Sequence, residues 1–339
     1  MRAGIVGAGL IGRLLAWQLG LAGWHITLFD RGGKDGRKSA AYAAAGMLSP
    51  LAECEMSNRV IFDLGTYALK QWPLWLSLLS QPVYFQQRGS IVIVHSNDKM
   101  EKERWKKQIQ HKIQVAYIKQ LSRSILQQLE PELNFAEGYF LPQEAHLDSR
   151  ALLKALVKDL KKVQWYERTF VEKIIPYRVS TAERQYSFDC VFDCRGIGAG
   201  DRFDDLRPVR GELIYLYAPN VNLDHPIRLL HPRYNVYIVP RPNHNYLVGA
   251  SEIESEDDSP ISVRTCLELL SAAYSVHSGF AEARILETVT ALRPALSDNL
   301  PRIYCEPGLV AINGLYRHGF LLAPAVISEV MRKLKGEVK

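Results

Sequence analysis

The stretch Ala3-Gly4-Ile5-Val6-Gly7-Ala8-Gly9-Leu10-Ile11-Gly12 is followed by Arg13–Leu21 and then by His25-Ile26-Thr27-Leu28-Phe29-Asp30. Ala3–Val6 is short, apolar and suited to a buried strand. Arg13–Leu21 has helical composition, and Gly20 and Gly23 supply stop signals. His25–Phe29 reads as a second buried strand that ends on an acid. Each glycine of the intervening Gly-x-Gly-x-x-Gly has its own task. Gly7 permits the tight turn, Gly9 lets backbone approach a pyrophosphate, and Gly12 lets the helix pack against the strands. The helix start at Leu10 and Ile11 offers N–H groups and partial positive charge to phosphates. Asp30 stands about 20 residues past the glycines, where it can accept hydrogen bonds from ribose hydroxyls. Strand, glycine turn, helix, strand and acid together predict a Rossmann-type βαβ unit that binds a dinucleotide. The acid would repel a 2′-phosphate and so argues against NADP. NAD and FAD both stay open on these residues.

Outside this unit the composition sets bounds. A chain of 339 residues suits two interleaved domains better than one core. With 47% hydrophobic and 23% charged residues, a packed globular protein is expected. The net charge of +6, from 42 basic and 36 acidic residues, is too small for a nucleic-acid binder. The basic run Lys99–Lys112 reads as a solvated helix face. Cys54, Cys190, Cys194, Cys266 and Cys305 are widely spaced and form no CxxC pair, so no metal site is expected. Reduced thiols suit a cytoplasmic protein. Arg13 and the glycines interrupt the apolar N-terminal run, which therefore resembles neither a signal peptide nor a membrane span.

Ser39–Pro50, SAAYAAAGMLSP, is a run of small uncharged residues. It fits an alanine-rich helix start, or a loop lying against a flat ring system. Here the chain resembles the glycine oxidase and D-amino-acid oxidase family, specifically the bacterial branch linked to thiamine biosynthesis. The resemblance rests on AAAGML (Ala43–Leu48) followed by Ala52-Glu53, and continues through Leu129–Leu133 and His146-Leu147-Asp148. It implies FAD, bound non-covalently, with Ala40, Ala41, Ala45, Gly46 and Met47 around the pyrophosphate and the ring edge. It further implies that Arg31 and Gly196 touch the cofactor and that the backbone of Val171 meets the adenine. Asp148 or Ser149 suits the N-cap of a helix over Arg150–Leu160, and a strand follows near Trp165–Ile174. Cys190–Gly200 reads as a strand running into small residues near the nucleotide, with Cys194 a structural thiol.

Val236–Arg241 and Tyr246–Ala250, joined by the polar stretch Pro242–Asn245, predict a hairpin outside the nucleotide domain. Tyr237 matches the family's substrate-cavity tyrosine; by its residues alone it is a half-buried strand aromatic. Thr290-Ala291-Leu292-Arg293-Pro294, with Ser297–Pro301, is similar to the family's arginine signature. The resemblance implies that Arg293 clamps a substrate carboxylate, for which a guanidinium with two parallel donors is suited. Leu296 departs from the family's threonine, and Asn299 from its glycine, though asparagine also tolerates left-handed turns. Val310–Pro324 resembles the family's last strand, loop and helix. It implies that Leu315, Tyr316, Arg317, His318, Gly319, Phe320 and Leu321 border the flavin, with Arg317 adding positive charge. Leu315 stands where the family has histidine, and His318 where it has asparagine.

The expected fold is α/β (α+β): a Rossmann-type FAD-binding domain (1–80, 140–205 and 288–339) interleaved with a mainly antiparallel-sheet substrate domain (81–139 and 206–287). Glu252–Asp258 reads as an acidic surface loop. The implied activity is oxidation of glycine or another small amino acid or amine. Arg293, Tyr237 and Arg317 act at the site, oxygen is the acceptor, and imine, ammonia and peroxide are formed. The imine would feed thiazole synthesis for thiamine. Oxidation of a D-amino acid or secondary amine with another acceptor, a non-catalytic flavoprotein and an NAD-dependent dehydrogenase stand as alternatives. No nucleic-acid partner and no integral membrane segment are expected, and homo-oligomerisation is left open.

Overall fold

A computed structural model describes residues 1–54, 58–110, 112, 117–233 and 236–336, the side chains of Cys54 and Gln110 excepted. His111 of the basic run therefore lies outside the described residues. Two large sheets organise the chain. The first has six strands in the order Arg302–Glu306, Leu309–Asn313, Cys190–Asp193, Arg2–Val6, His25–Phe29 and Gln164–Tyr166. All neighbours are parallel except the edge strand Arg302–Glu306. This is the predicted α/β arrangement, with the N-terminal strand near its middle.

Alternation along Arg2–Val6 explains the two layers around this sheet. Ala3 and Ile5 face a core shared with helices Leu10–Leu21, Arg59–Ser77, Ser149–Asp159 and Gly319–Leu334, where Leu14, Trp72 and Leu322 are fully buried. Val6 faces the other way and meets Phe29, Val171, Ile174 and Val179 under a small three-stranded sheet. Helix Ser149–Asp159 begins where expected: Asp148 Oδ1 accepts from the N–H groups of Arg150 (3.0 Å) and Ala151 (2.9 Å). The strand expected near Trp165–Ile174 is instead two. Gln164–Tyr166 joins the large parallel sheet, whereas Val171–Ile175 joins the small one. The chain turns between them at Arg168, whose φ is 53°.

The second sheet has nine strands and is mainly antiparallel. Its longest pair, Arg207–Tyr217 with Arg284–Ala295, runs the full length of both strands. Residues 288–295, expected with the nucleotide domain, thus hydrogen-bond in this sheet. The expected hairpin is present as Val236–Arg241 and Asn245–Gly249. Its turn uses positive φ at Asn243 (63°) and His244 (55°), where asparagine carries little strain. Tyr234 and Asn235, just before the first strand, lie outside the described residues.

Glu252–Asp258 lies at the surface, as expected, and is tied to the sheet. Ile253-Glu254 pairs with Val209-Arg210, and Arg210 Nη1 reaches the Asp257 carbonyl at 2.7 Å. Arg210 in turn donates to Glu212 Oε1 at 2.6 Å, and Ser251 and Thr265 hydroxyls donate to Glu212 Oε2. Glu212 is fully buried, so this satisfied polar network fixes the loop to the sheet.

Candidate active site

A cavity of about 700 Å³ lies between the two sheets, within the range of cofactor and ligand sites. One wall is the glycine turn. Gly7 has φ +99°, and a Cβ there would fall 2.4 Å from the Cys194 carbonyl oxygen. A Cβ on Gly12 would fall 1.8 Å from the Gly7 oxygen, so helix and turn touch backbone to backbone. Gly9 differs: a Cβ there would meet nothing closer than Ser39 Cβ at 3.8 Å. Its bare Cα leaves room on the cavity side, and helix Leu10–Leu21 begins there without a side-chain cap. Its first-turn N–H groups can therefore receive an anion. Asp30 accepts from the Ala8 N–H (2.5 Å) and the Gly32 N–H (2.6 Å), tying the turn to the second strand. A carboxylate with two such bonds still has lone pairs for ribose hydroxyls. Arg13, expected only as a break in the apolar run, is fully buried behind the turn and donates from Nε to the Ala8 carbonyl at 2.7 Å.

Most of the residues singled out in the sequence converge here. Gly7, Gly9, Leu10, Ile11, Asp30 and Arg31 line one end, and Ala40, Ala41, Ala45, Gly46 and Met47 line a side. Gly196 and Leu315 through Leu321 complete the wall opposite. Gly12 and Val171 do not line it. Gly12 is buried against Gly7, and Val171 packs beside Val6 and Phe29, paired with Thr181. Cys194 lines the cavity too, but burial pushes its thiol pKa far up and keeps it protonated.

The far end is built on the nine-stranded sheet. Arg228, Tyr237, Gly249 and Leu213 are register partners across four adjacent strands and so share one face. Tyr237 lies over Gly249, where a Cβ would come within 2.8 Å of its hydroxyl. Arg293 lies over Gly211 in the same manner, with Nη2 2.2 Å from a Cβ built there. Two glycines thus make the space in which the Tyr237 and Arg293 side chains lie on the sheet. Arg293 Nη1 donates to the Ser251 carbonyl at 3.0 Å and approaches that of Arg210 at 3.4 Å. These bonds hold one arm of the guanidinium and leave the fork shape able to take a carboxylate. Burial raises the Tyr237 pKa, so its hydroxyl keeps its proton, although Arg293 works the other way.

Arg317, expected to add positive charge at the flavin, is held between two carboxylates. Its Nε lies 2.8 Å from Glu53 Oε2, and its Nη1 lies 2.8 Å from Glu252 Oε2. Burial opposes its charge, but the two carboxylates hold its pKa above the ordinary value. Glu252 also accepts from the Tyr316 hydroxyl. Burial pushes His318 down to about 4, so it is neutral near pH 7. Glu53, Glu252 and Arg228 are cavity residues to which sequence reasoning gave no role. Glu53 carried a signal in the motif it follows. Arg228 carried none, because its alignment with Tyr237 depends on strand register, which the residues alone do not reveal.

Among the described residues no cluster of His, Cys, Asp or Glu could hold a metal ion, and no helix is long and apolar enough to cross a membrane. Comparison with known proteins agrees with the geometry. The chain is 39% identical to a Rhizobium etli protein named "Putative thiamine biosynthesis oxidoreductase ThiO", over 99% of this chain and 97% of that one. It is 25% identical to a glycine oxidase of Pseudomonas aeruginosa, covering 96% and 92% of the two chains. Its fold matches the crystal structure of glycine oxidase from Geobacillus kaustophilus with a TM-score of 0.88 at 22% identity, over 100% and 96%. Residues 2–332 match the DAO family, described as FAD dependent oxidoreductase. The chain belongs to this family of FAD-dependent oxidoreductases.

Proposed function

We propose that this protein oxidises glycine or a similarly small amino acid at its α-carbon, supplying an imine for thiazole formation in thiamine biosynthesis. The observation that carries the reading is that Arg293 and Tyr237 line the same cavity as the glycine turn, with Arg293 near enough to act on the Tyr237 hydroxyl. The names of the relatives from Rhizobium etli and Pseudomonas aeruginosa support it.

The residues fit FAD, bound non-covalently. Gly9 and the first turn of helix Leu10–Leu21 would hold the pyrophosphate, and Asp30 the ribose. Ala45, Gly46 and Met47 would border the ring from one side, and Leu315–Phe320 from the other. The six-stranded sheet would thus carry the cofactor and the nine-stranded sheet the substrate. FAD, when bound, supplies the acceptor for the hydride leaving the α-carbon and passes the electrons to oxygen. The protein's own part is orientation. Arg293 takes the carboxylate by its free arm, and the protonated Tyr237 hydroxyl adds a second donor from the neighbouring strand. The N–H groups at the start of helix Gly319–Leu334 favour negative charge developing nearby. Cys190, Cys194, Cys266 and Cys305 carry free thiols, which supports a cytoplasmic setting.

The test is an anaerobic titration of the yellow protein with glycine, sarcosine and D-amino acids. Bleaching of the flavin by glycine, followed by peroxide formation in air, is the expected result. Bleaching without peroxide would transfer the reading to a dehydrogenase. No bleaching by any amine would remove it.

A further inference from the structure

A free amino acid presents a carboxylate and an amino group on adjacent atoms, and Arg293 answers only the first. Two carboxylates of the cavity, Glu53 and Glu252, flank Arg317. They are not equivalent. Glu252 is engaged through both oxygens: Oε1 accepts from the Tyr316 hydroxyl and Oε2 pairs with Arg317. Glu53 is engaged through Oε2, which lies 2.8 Å from Arg317 Nε and 3.5 Å from His318 Nδ1. Its side chain keeps 21% exposure, so a bound molecule can reach it.

The position of Glu53 is fixed from behind. It sits on the short helix Pro50–Cys54, directly after the cavity strand Met47-Leu48. The N–H of Ala52 donates to Glu144 Oε1 at 2.9 Å, and the N–H of Glu53 donates to the Ser49 carbonyl at 2.9 Å. Glu144 is buried and is itself held by Ser90. A carboxylate mounted this way is a preorganised acceptor. It is also near Tyr237, since its charge raises that hydroxyl's pKa.

We propose that Glu53 binds the substrate's amino group, so that Arg293 and Glu53 together select molecules carrying both a carboxylate and an amine. Simple carboxylates and hydroxy acids then bind through Arg293 and Tyr237, without a contribution from Glu53. The role is binding and not proton transfer. Burial disfavours the Glu53 carboxylate, but Arg317 first and Arg228 after it hold its pKa below the usual range, which makes it a good counter-ion and a poor base. The inference rests on the amino-acid reading given above.

The experiment uses flavin-loaded wild type and Glu53→Gln. Glycine affinity is read from the saturation of anaerobic flavin reduction, and acetate affinity from the perturbation of the flavin spectrum. Glu53→Gln is expected to weaken glycine roughly 10- to 100-fold, the loss of one hydrogen bond to a charged group, while acetate stays within about threefold or tightens. Equal weakening of both ligands, or no change in either, overturns the proposal. Glu53→Asp, which keeps the charge, carries the same test if the glutamine variant does not hold flavin. There a selective loss for glycine supports the role, and a parallel loss or none overturns it. Failure of glycine to reduce the wild type would instead sink the amino-acid reading itself.

Discussion

Arg293 rests on Gly211: a single methyl at that glycine would sit 2.2 Å from Nη2 and 2.3 Å from Cζ of the guanidinium. The atoms in the way belong to the end of a side chain, so Gly211→Ala displaces Arg293 and leaves the strand intact. The expected outcome is a yellow protein of nearly normal melting temperature whose kcat/KM for glycine drops about 100-fold, the usual cost of misplacing a positioning group by about 1 Å. Steady-state kinetics beside a thermal melt check it. A normal kcat/KM would mean that the guanidinium does not position the substrate.

Removing the same guanidinium should be more severe. Arg293→Ala is expected to lose about 100- to 1,000-fold in kcat/KM, as when one partner of a desolvated charge pair is truncated. The ratio of absorbance at flavin and protein wavelengths should be unchanged. Arg293→Lys should recover little, because an ammonium cannot offer two parallel donors.

The glycine turn yields a paired prediction. Gly12→Ala drives a methyl into the Gly7 carbonyl, 1.8 Å away and unable to retreat, so the variant should express poorly or lose several degrees of melting temperature. Gly9→Ala meets nothing within 3.8 Å in the protein. It should fold normally yet release flavin on gel filtration, since its methyl occupies space intended for phosphate. Equal behaviour of the two variants would argue against a cofactor at this turn.

Much of this was legible in the sequence, and the limits have physical causes. The βαβ unit could be read because its glycines are required by local geometry: a positive φ at Gly7 and backbone contact at Gly12. The hairpin at 236–249 could be read because strand alternation and turn chemistry are local. Arg228 could not, because it reaches the site through a strand register that joins distant segments. The pairing of Arg317 with Glu53 and Glu252 was hidden for the same reason. The acidic stretch 252–258 was legible as a surface loop, but its attachment to Arg210, some 40 residues earlier, and to the network around Glu212 was not. Trp165–Ile174 was read as one strand because a turn at Arg168, without glycine or proline, leaves no mark in composition.

Arg317 between two carboxylates carries a stability prediction. Arg317→Ala leaves Glu53 and Glu252 facing one another without a cation between them, and should cost about 3 kcal/mol. Urea unfolding of the apoprotein measures this without interference from flavin. A loss below about 1 kcal/mol would show that solvent already screens the triad.

Acid should destabilise the protein through its buried histidines. Burial lowers His318 to about 4 and His146 to about 3, so the folded state keeps both neutral well below the ordinary value near 6.5. The unfolded chain takes up those protons first, and stability therefore falls as pH drops from about 6.5 toward 4. Above pH 7 these two residues contribute no slope. Unfolding midpoints measured between pH 4.5 and 7.5 test this, and His146→Asn should flatten part of the decline.

The strand Leu309–Asn313 lies next to Cys190–Asp193 inside the parallel sheet, and helix Gly319–Leu334 covers that sheet's helical face. A ribosome delivers these pieces after everything else that the cavity needs. A nascent chain that still lacks residues 309–334 therefore displays the glycine turn without this strand and helix, and flavin capture waits on their synthesis.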